Sequence, residues 1–414
     1  METKSDNSLY MSDQEVLEIT GDVHWVGVLD RELVTFDVVM QTPYGTTYNS
    51  YFINAEKRTL VETVKEKYFP AFLAKLKTLC DPAELEYIIV DHTEPDHSGS
   101  LGMLLKLAPK AKVVGSGNAI RYLRDMLGYE FAHIQVKDGD ILDLGNKKVR
   151  VIGAPNLHWP DSIYTYLEED RLLFTCDSFG AHYCDARMFD DVVGCWDDAF
   201  KYYFDVILKP FSRFMLKAIE KIRPLSISAV CPGHGPILRT NWEQYVNRTW
   251  ELASAAVKLG SKPLVFIPYV TAYHNTRDLA EMIADGVKEA GDVGVEVLDI
   301  EKVSFEEMEH HLENCTGLII GTPTINQNVL LPVYQLFAAI NPLRDKGKLG
   351  GSFGSYGWSG EAAKMVETNL NNLKIKFFGE GVFVKFSPHG DSPERCRSYG
   401  KAFATQMLAD MAKE

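Results

Sequence analysis

Tyr87-Ile88-Ile89-Val90-Asp91-His92-Thr93-Glu94-Pro95-Asp96-His97 is the stretch that decides how this chain is read. Four apolar residues, the pattern of a buried strand, run straight into His92, Glu94, Asp96 and His97. Ligand-type side chains that crowd a loop at the carboxyl edge of a sheet can converge on one point, whereas a helix would spread them around its circumference. Alone, the run could be a polar loop, or a helix entry with Asp96 capping Ser98-Gly99-Ser100-Leu101. Matching residues recur at later strand ends, however. His158 lies in Pro155-Asn156-Leu157-His158-Trp159-Pro160-Asp161-Ser162, Asp177 follows Leu172–Thr175, and His234 sits between two glycines after Ile227–Val230. Strand ends on one edge of a sheet are neighbours in space. Four histidines and three carboxylates exceed what one tetrahedral metal takes and suit two metals sharing a bridging carboxylate.

Outward from this run, Val23–Leu29, Leu33–Gln41 and Tyr48–Ile53 read as short strands, and a helical pattern covers Leu60 to about Leu79. Strand (Lys112–Val114), helix (Asn118–Leu127) and further strands lead to Asp177; a long helical stretch, roughly Asp197–Lys221, precedes the strand Ser226–Cys231. After a helix near Trp242–Lys258, Leu259-Gly260-Ser261-Lys262-Pro263 reads as a linker. The grammar then becomes a regular alternation. Strands at Leu264–Ile267, Val295–Asp299, Gly317–Ile320, Leu349–Ser352 and Lys376–Lys385 mix with helices near Thr276–Ala290, Val329–Ile340, Glu361–Leu373 and Pro393–Lys413. That rhythm predicts a doubly wound parallel sheet. The domains expected are therefore 1–260 and 261–414.

Composition agrees with two globular domains in 414 residues, 46% of them hydrophobic and 24% charged. A net charge of −14 argues against nucleic acid as a partner. The seven cysteines include no C-x-x-C pair, so neither a disulfide framework nor an appended rubredoxin-type iron site is expected. Met1–Asp13 is polar and unlike a signal peptide, and no apolar run is long enough for a membrane span, which makes a reducing cytoplasm the expected compartment.

The order of ligands resembles the metallo-β-lactamase superfamily, whose first motif is usually His-x-His-x-Asp-His. Here Glu94 replaces the second histidine. A carboxylate hardens the site and favours iron over zinc. His-x-Glu-x-Asp-His followed by a distant His, Asp and His resembles the flavodiiron proteins (A-type flavoproteins). The resemblance implies an N-terminal metallo-β-lactamase-like αββα sandwich and a C-terminal flavodoxin-like domain. It implies one iron on His92, Glu94 and His158, a second on Asp96, His97 and His234, and Asp177 as the bridge. It also suggests a histidine near the N-terminus and a tyrosine on the long helix beside the irons; His24 fits the first, Tyr202 or Tyr203 the second, and His182 is a further pocket candidate.

In the second domain, Thr271-Ala272-Tyr273-His274-Asn275-Thr276 leads from a strand into a helix, an arrangement of hydroxyls and backbone N–H groups suited to a terminal phosphate. With no Gly-x-Gly-x-x-Gly and no Walker lysine, a dinucleotide or triphosphate is disfavoured. Thr322-Pro323-Thr324-Ile325-Asn326 follows the third strand; Ser355-Tyr356-Gly357-Trp358-Ser359-Gly360 lies in the loop expected after the fourth. Glycines there admit an isoalloxazine edge, and Tyr356 or Trp358 could stack on it. The three loops resemble the FMN site of flavodoxin.

The expected function is FMN- and di-iron-dependent reduction of O2 to water, of NO to N2O, or both, with a separate electron donor such as rubredoxin or a flavin reductase. A homodimer or dimer of dimers is expected, pairing one chain's flavin with the other's irons. The alternative is a metallo-hydrolase acting on a thioester or phosphodiester, with an accessory flavodoxin-like domain.

Overall fold

The computed structural model describes residues 15–36, 40–259 and 263–413. The chain divides into two compact units, Met1–Ser254 and Ala255–Glu414, the division falling within the helix Trp242–Leu259. The boundary expected between 260 and 261 lies outside the described residues.

The first unit is built on two sheets. One has seven strands in the order Leu17–Thr20, Val23–Trp25, Tyr51–Ile53, Thr59–Val61, Tyr87–Ile89, Lys112–Ser116 and His133–Val136, antiparallel at first and parallel from Thr59 onward. The other has five: Ile141–Asp143, Lys148–Gly153, Ile163–Leu167, Leu172–Cys176 and Ala229–Pro232, with only the last pair parallel. Period-two alternation sends Tyr87 and Ile89 into a core with Phe174, Val151 and Cys231 of the second sheet, and sends Ile88 outward against Phe72, Leu76 and Leu104. Helices cover the outer faces of both sheets, which gives the four layers of an αββα sandwich.

Several local expectations fail for physical reasons. The helix expected from Leu60 begins only at Phe69, because Thr59-Leu60-Val61 is a central strand with Leu60 and Val61 buried in opposite layers. Of the strand expected over Leu33–Gln41, Thr35–Phe36 pairs with Met40–Gln41, while residues 37–39 lie outside those described. The long helical stretch is broken: Asp197–Tyr203 passes through a π-turn (Phe204–Leu208) and a 3-10 turn (Lys209–Phe211) before Ser212–Ile222. Pro210, which has no N–H to give, sits at the break.

The second unit is a sheet ordered Gly294–Asp299, Leu264–Tyr269, Gly317–Gly321, Leu349–Tyr356 and Lys376–Phe377, all parallel. Val382–Lys385 also pairs with Leu349–Tyr356, so the single strand expected over Lys376–Lys385 is two strands, parted at Gly379 with φ +54°. Its order, second-first-third-fourth-fifth, is that of flavodoxin-like sheets, whose ligand sits where the order reverses, between the first and third strands. The helices Asn275–Lys288 and Ser392–Met411 cover one face, so closely that a Cβ on Gly286 would stand 2.0 Å from the Arg397 carbonyl oxygen. Ala362–Asn372, Leu331–Ala339 and an unexpected helix, Phe305–Asn314, cover the other. No helix among the described residues is long and apolar enough to cross a membrane.

Candidate metal centre and flavin site

The parallel strands of the first unit deliver the expected ligands to one place. His92 follows Tyr87–Ile89 by three residues, Asp177 ends Leu172–Cys176, and His234 ends Ala229–Pro232. Asp96 and His97 sit not on an open loop but on the single helical turn Pro95–Ser98, whose start is fixed by Pro95 and which keeps the two side by side. His158 comes from the loop between Lys148–Gly153 and Ile163–Leu167.

Asp177 organises the geometry. Its Oδ2 faces His158 Nε2 at 3.3 Å and His92 Nε2 at 3.6 Å; Glu94 Oε2 closes that group at 3.0 Å from His158 and 3.2 Å from His92. Its Oδ1 faces His97 Nε2 at 3.0 Å and His234 Nε2 at 3.4 Å, and Asp96 Oδ2 closes the second group at 3.1 Å from His234. The ligand atoms of His92, Glu94, His158 and Asp177 lie within 4.8 Å of one another, as do those of Asp96, His97 and His234. All four imidazoles turn Nε2 inward. Behind them, Asp161 Oδ2 stands 3.4 Å from His92 Nδ1, and the Thr47 carbonyl accepts from His234 Nδ1 at 2.6 Å. Such backing orients a ligand histidine and fixes its tautomer. Glu62 accepts from the backbone N–H groups of Asp91 (2.6 Å) and His92 (3.1 Å) and so clamps the loop. A Cβ on Gly233 would stand 2.6 Å from His97 Cε1, so the approach of the His234 loop needs glycine there.

The donor set fits a pair of cations. Asp96 Oδ1 is buried without a hydrogen-bond partner, and Asp96 Oδ2 and Asp177 Oδ2 face only imidazole nitrogens, a costly state unless something positive answers them. Burial would lower the histidine pKa values, but the carboxylates overrule it and lift His92, His97 and His158 to about 10. Burial likewise pushes Asp177 upward, yet the imidazoles, His97 foremost, hold it well below the usual carboxylate range. Without metal the cluster therefore keeps protons where metal ions would sit. The consequence for stability has a definite sign. Histidines raised in the folded state stabilise it fully below their unfolded value of about 6.5 and lose that contribution as pH climbs through about 10. Thermal melts of the metal-free protein should fall between those limits, while the metal-loaded protein, whose ring nitrogens are already deprotonated, should show no such fall. A flat or rising melting temperature of the metal-free protein over that window would contradict this charge state.

Beside the cluster lies a cavity of about 30 Å³, room for little more than a water or a diatomic gas. His158, Asp177 and His234 form its polar wall, and Phe36, Met40 and Ile207 its apolar one. His182 and Tyr203, both expected near the metals, line it too. Burial first, and His234 second, hold His182 down to about 3, so its ring is neutral; burial pushes the Tyr203 hydroxyl well up, so it keeps its proton. Two other expected residues do not line it. Tyr202 is 40% exposed, its hydroxyl accepting from Gln41 N, because consecutive helical residues point about 100° apart and only one can face inward. His24 is flanked by Val23 and Trp25, which pack between the sheets, so alternation sends its ring to the other face. Thr46, Thr47, Asp161, Glu62 and Phe36 were not anticipated; only Asp161, quoted beside His158, lay near a visible signal.

In the second unit, Thr271 follows the strand Leu264–Tyr269, and the helix Asn275–Lys288 opens after His274, which takes the left-handed conformation (φ +67°). Thr271 Oγ1 and Thr324 Oγ1 are buried without hydrogen-bond partners, and Thr276 Oγ1 meets Ser355 Oγ at 3.2 Å. Free helix N–H groups beside unanswered hydroxyls fit a phosphate monoester. Thr322, Pro323 and Thr324 are strapped to the fourth strand by Thr324 N donating to Ser355 O at 2.9 Å, and Asn326 turns the loop with φ +53°. The fourth strand, expected to end at Ser352, runs on through Ser355 and Tyr356, so its loop begins at Gly357, because Phe353, Gly354 and Ser355 pair with Val382, Phe383 and Val384. Tyr273 (82% exposed) and Trp358 (81%) present aromatic rings where a flat ligand could stack.

Comparison with known proteins gives the same two parts. Residues 46–235 match the ODP family beta lactamase model, and residues 267–400 match the flavodoxin model. The chain is 39% identical to a type A flavoprotein of Rhodobacter capsulatus over 94% of this chain and 91% of that one. It is 34% identical to a protein of Moorella thermoacetica named nitric oxide reductase, over 94% and 98%. Among solved structures, rubredoxin oxygen:oxidoreductase of the anaerobe Desulfovibrio gigas superposes with a TM-score of 0.69 at 27% identity, covering 96% of this chain and all of that one.

Proposed function

We propose that this chain, which belongs to the flavodiiron (type A flavoprotein) family, reduces dioxygen to water, nitric oxide to nitrous oxide, or both, in its N-terminal module (1–260), with electrons from FMN in its C-terminal module (261–414). The observation that carries this reading is Asp177, each of whose oxygens faces its own set of imidazole and carboxylate ligands. His92, Glu94 and His158 would hold one iron and Asp96, His97 and His234 the other, with Asp177 between them. Thr271, Asn275 and Thr276 would take the FMN phosphate; Tyr273, Thr322, Pro323, Thr324, Asn326, Ser355, Tyr356, Gly357, Trp358 and Gly360 would frame its ring. When bound, these groups supply the electrons and the site of their delivery to the gas. The protein's own part is confinement and protons. Phe36, Met40 and Ile207 give the cavity an apolar wall, and its volume of about 30 Å³ suits a diatomic gas better than a thioester or phosphodiester. Tyr203 holds a phenolic proton at its edge. Four electrons and four protons turn O2 into two waters; two of each turn two NO into N2O and water.

Two of the three named relatives keep both gases in view, one name being an oxygen reaction and the other a nitric oxide reaction. A separate donor, rubredoxin or a flavin reductase, would feed the flavin of a dimeric or dimer-of-dimers assembly in the cytoplasm. Purified protein should be yellow, release FMN on denaturation and hold close to two irons per chain. An oxygen-electrode trace beside an NO-electrode trace, with one artificial reductant, should show consumption of at least one gas. Zinc in place of iron, with hydrolysis of a thioester and no gas consumed, would overturn the proposal.

A further inference from the structure

Two neighbouring threonines face two histidines at the cavity. The Thr47 carbonyl accepts from His234 Nδ1 at 2.6 Å, so that nitrogen carries a hydrogen. The buried Thr46 hydroxyl lies 2.9 Å from His182 Nδ1, 3.3 Å from the Thr47 carbonyl and 3.5 Å from His234 Nδ1. Its single proton has three destinations. His234 Nδ1 already bears a hydrogen and cannot accept. The Thr47 carbonyl keeps a second lone pair but is the longer contact, at 3.3 Å. His182 Nδ1, at 2.9 Å, is the nearest acceptor.

We infer that the Thr46 hydroxyl donates to Nδ1 of His182 and so fixes that ring with its hydrogen on Nε2, which makes Thr46 a positioning residue for the cavity. Nε2 is buried without a partner on a ring that lines the cavity, stacked on Phe36 with centroids 4.4 Å apart. The inference rests on the proposed reduction of a diatomic gas. Such a gas gains negative charge as it takes electrons, and a neutral N–H on a ring that lines the cavity favours that charge where a lone pair would oppose it. The opposite tautomer would line the same wall with an acceptor.

The tautomer can be read without turnover. The full-length, FMN-bound chain, labelled with nitrogen-15 histidine and loaded with zinc as a diamagnetic probe, gives long-range proton–nitrogen correlations; His182 is assigned by its loss in His182→Gln. Wild type should show a protonated Nε2 and a hydrogen-bonded, unprotonated Nδ1. Thr46→Ser keeps the hydroxyl and should keep that pattern. Thr46→Val, equal in shape, should shift both nitrogens toward a mixture of tautomers, and the iron-loaded variant should lose about tenfold in gas consumption, which serine restores. A wild-type hydrogen on Nδ1 overturns the inference, as does a Thr46→Val spectrum identical to wild type. The wild-type spectrum decides the tautomer even where the valine variant fails to fold. A chain that consumed neither gas would sink the functional reading and leave the tautomer standing.

Discussion

Changing Asp177 to alanine should cut gas consumption by at least about 100-fold and strip most of the iron, while the flavin spectrum stays as in wild type. The size of the effect follows from position. Asp177 is 2% exposed and, among the described residues, is the carboxylate that faces histidines of both groups, with Oδ1 3.0 Å from His97 and Oδ2 3.3 Å from His158. Every other ligand serves one group, so its loss leaves the second intact. Without Asp177, two cations a few ångströms apart would face each other with no anion between them, and the repulsion is large in a buried site. Asp177→Asn separates charge from shape: it keeps the oxygen on one side and removes the negative charge, and it should retain part of the metal but little turnover. Metal analysis beside electrode traces measures both. Near wild-type oxygen or NO consumption by Asp177→Ala would make this residue structural and the ligand assignment wrong.

The proposed metal ligands were legible because the rule that reveals them is local. An apolar run such as Tyr87–Val90 followed at once by His92 and Glu94 needs no knowledge of the rest of the chain, and the same signature repeats before Asp177 and His234. Partners that orient those ligands were not legible. Thr46 reaches His182 across 136 positions, and a threonine in a strand looks like any other strand threonine. Thr59–Val61 was misread because three residues are too few to display a period, and its helix-like neighbourhood prevailed. Between Tyr202 and Tyr203 no reading of composition could choose, since helical phase there depends on the π-turn that begins at Phe204. The missed helix Phe305–Asn314 did carry a signal: Ser304 accepts from Glu307 N at 3.1 Å, a serine cap three residues ahead of a glutamate.

The second large effect concerns which chain's flavin serves which irons. Each module is proposed to carry its site at the carboxyl ends of its own strands, and the sequence Leu259-Gly260-Ser261-Lys262-Pro263 holds no feature that requires the two edges to meet within one chain. Electron transfer weakens steeply with distance, so the flavin and the irons must come close somewhere. A two-fold, head-to-tail dimer satisfies that need twice by setting each flavin edge against the partner's metal edge. Tyr273 and Trp358, both about four-fifths exposed, are the rings such a contact would cover. The test joins two dead chains. One carries Asp177→Ala; the other carries Asn275→Glu and Thr276→Glu, which put negative charge where the FMN phosphate would bind. Neither parent should turn over. In a mixed dimer isolated through two tags, the first chain keeps its flavin and the second its irons. Transfer across the interface then restores one of two centres, about half the wild-type rate per dimer. Transfer within a chain restores none, because neither chain holds both. A folded mixed dimer that contains FMN and iron yet consumes no gas would therefore place the electron path inside the single chain.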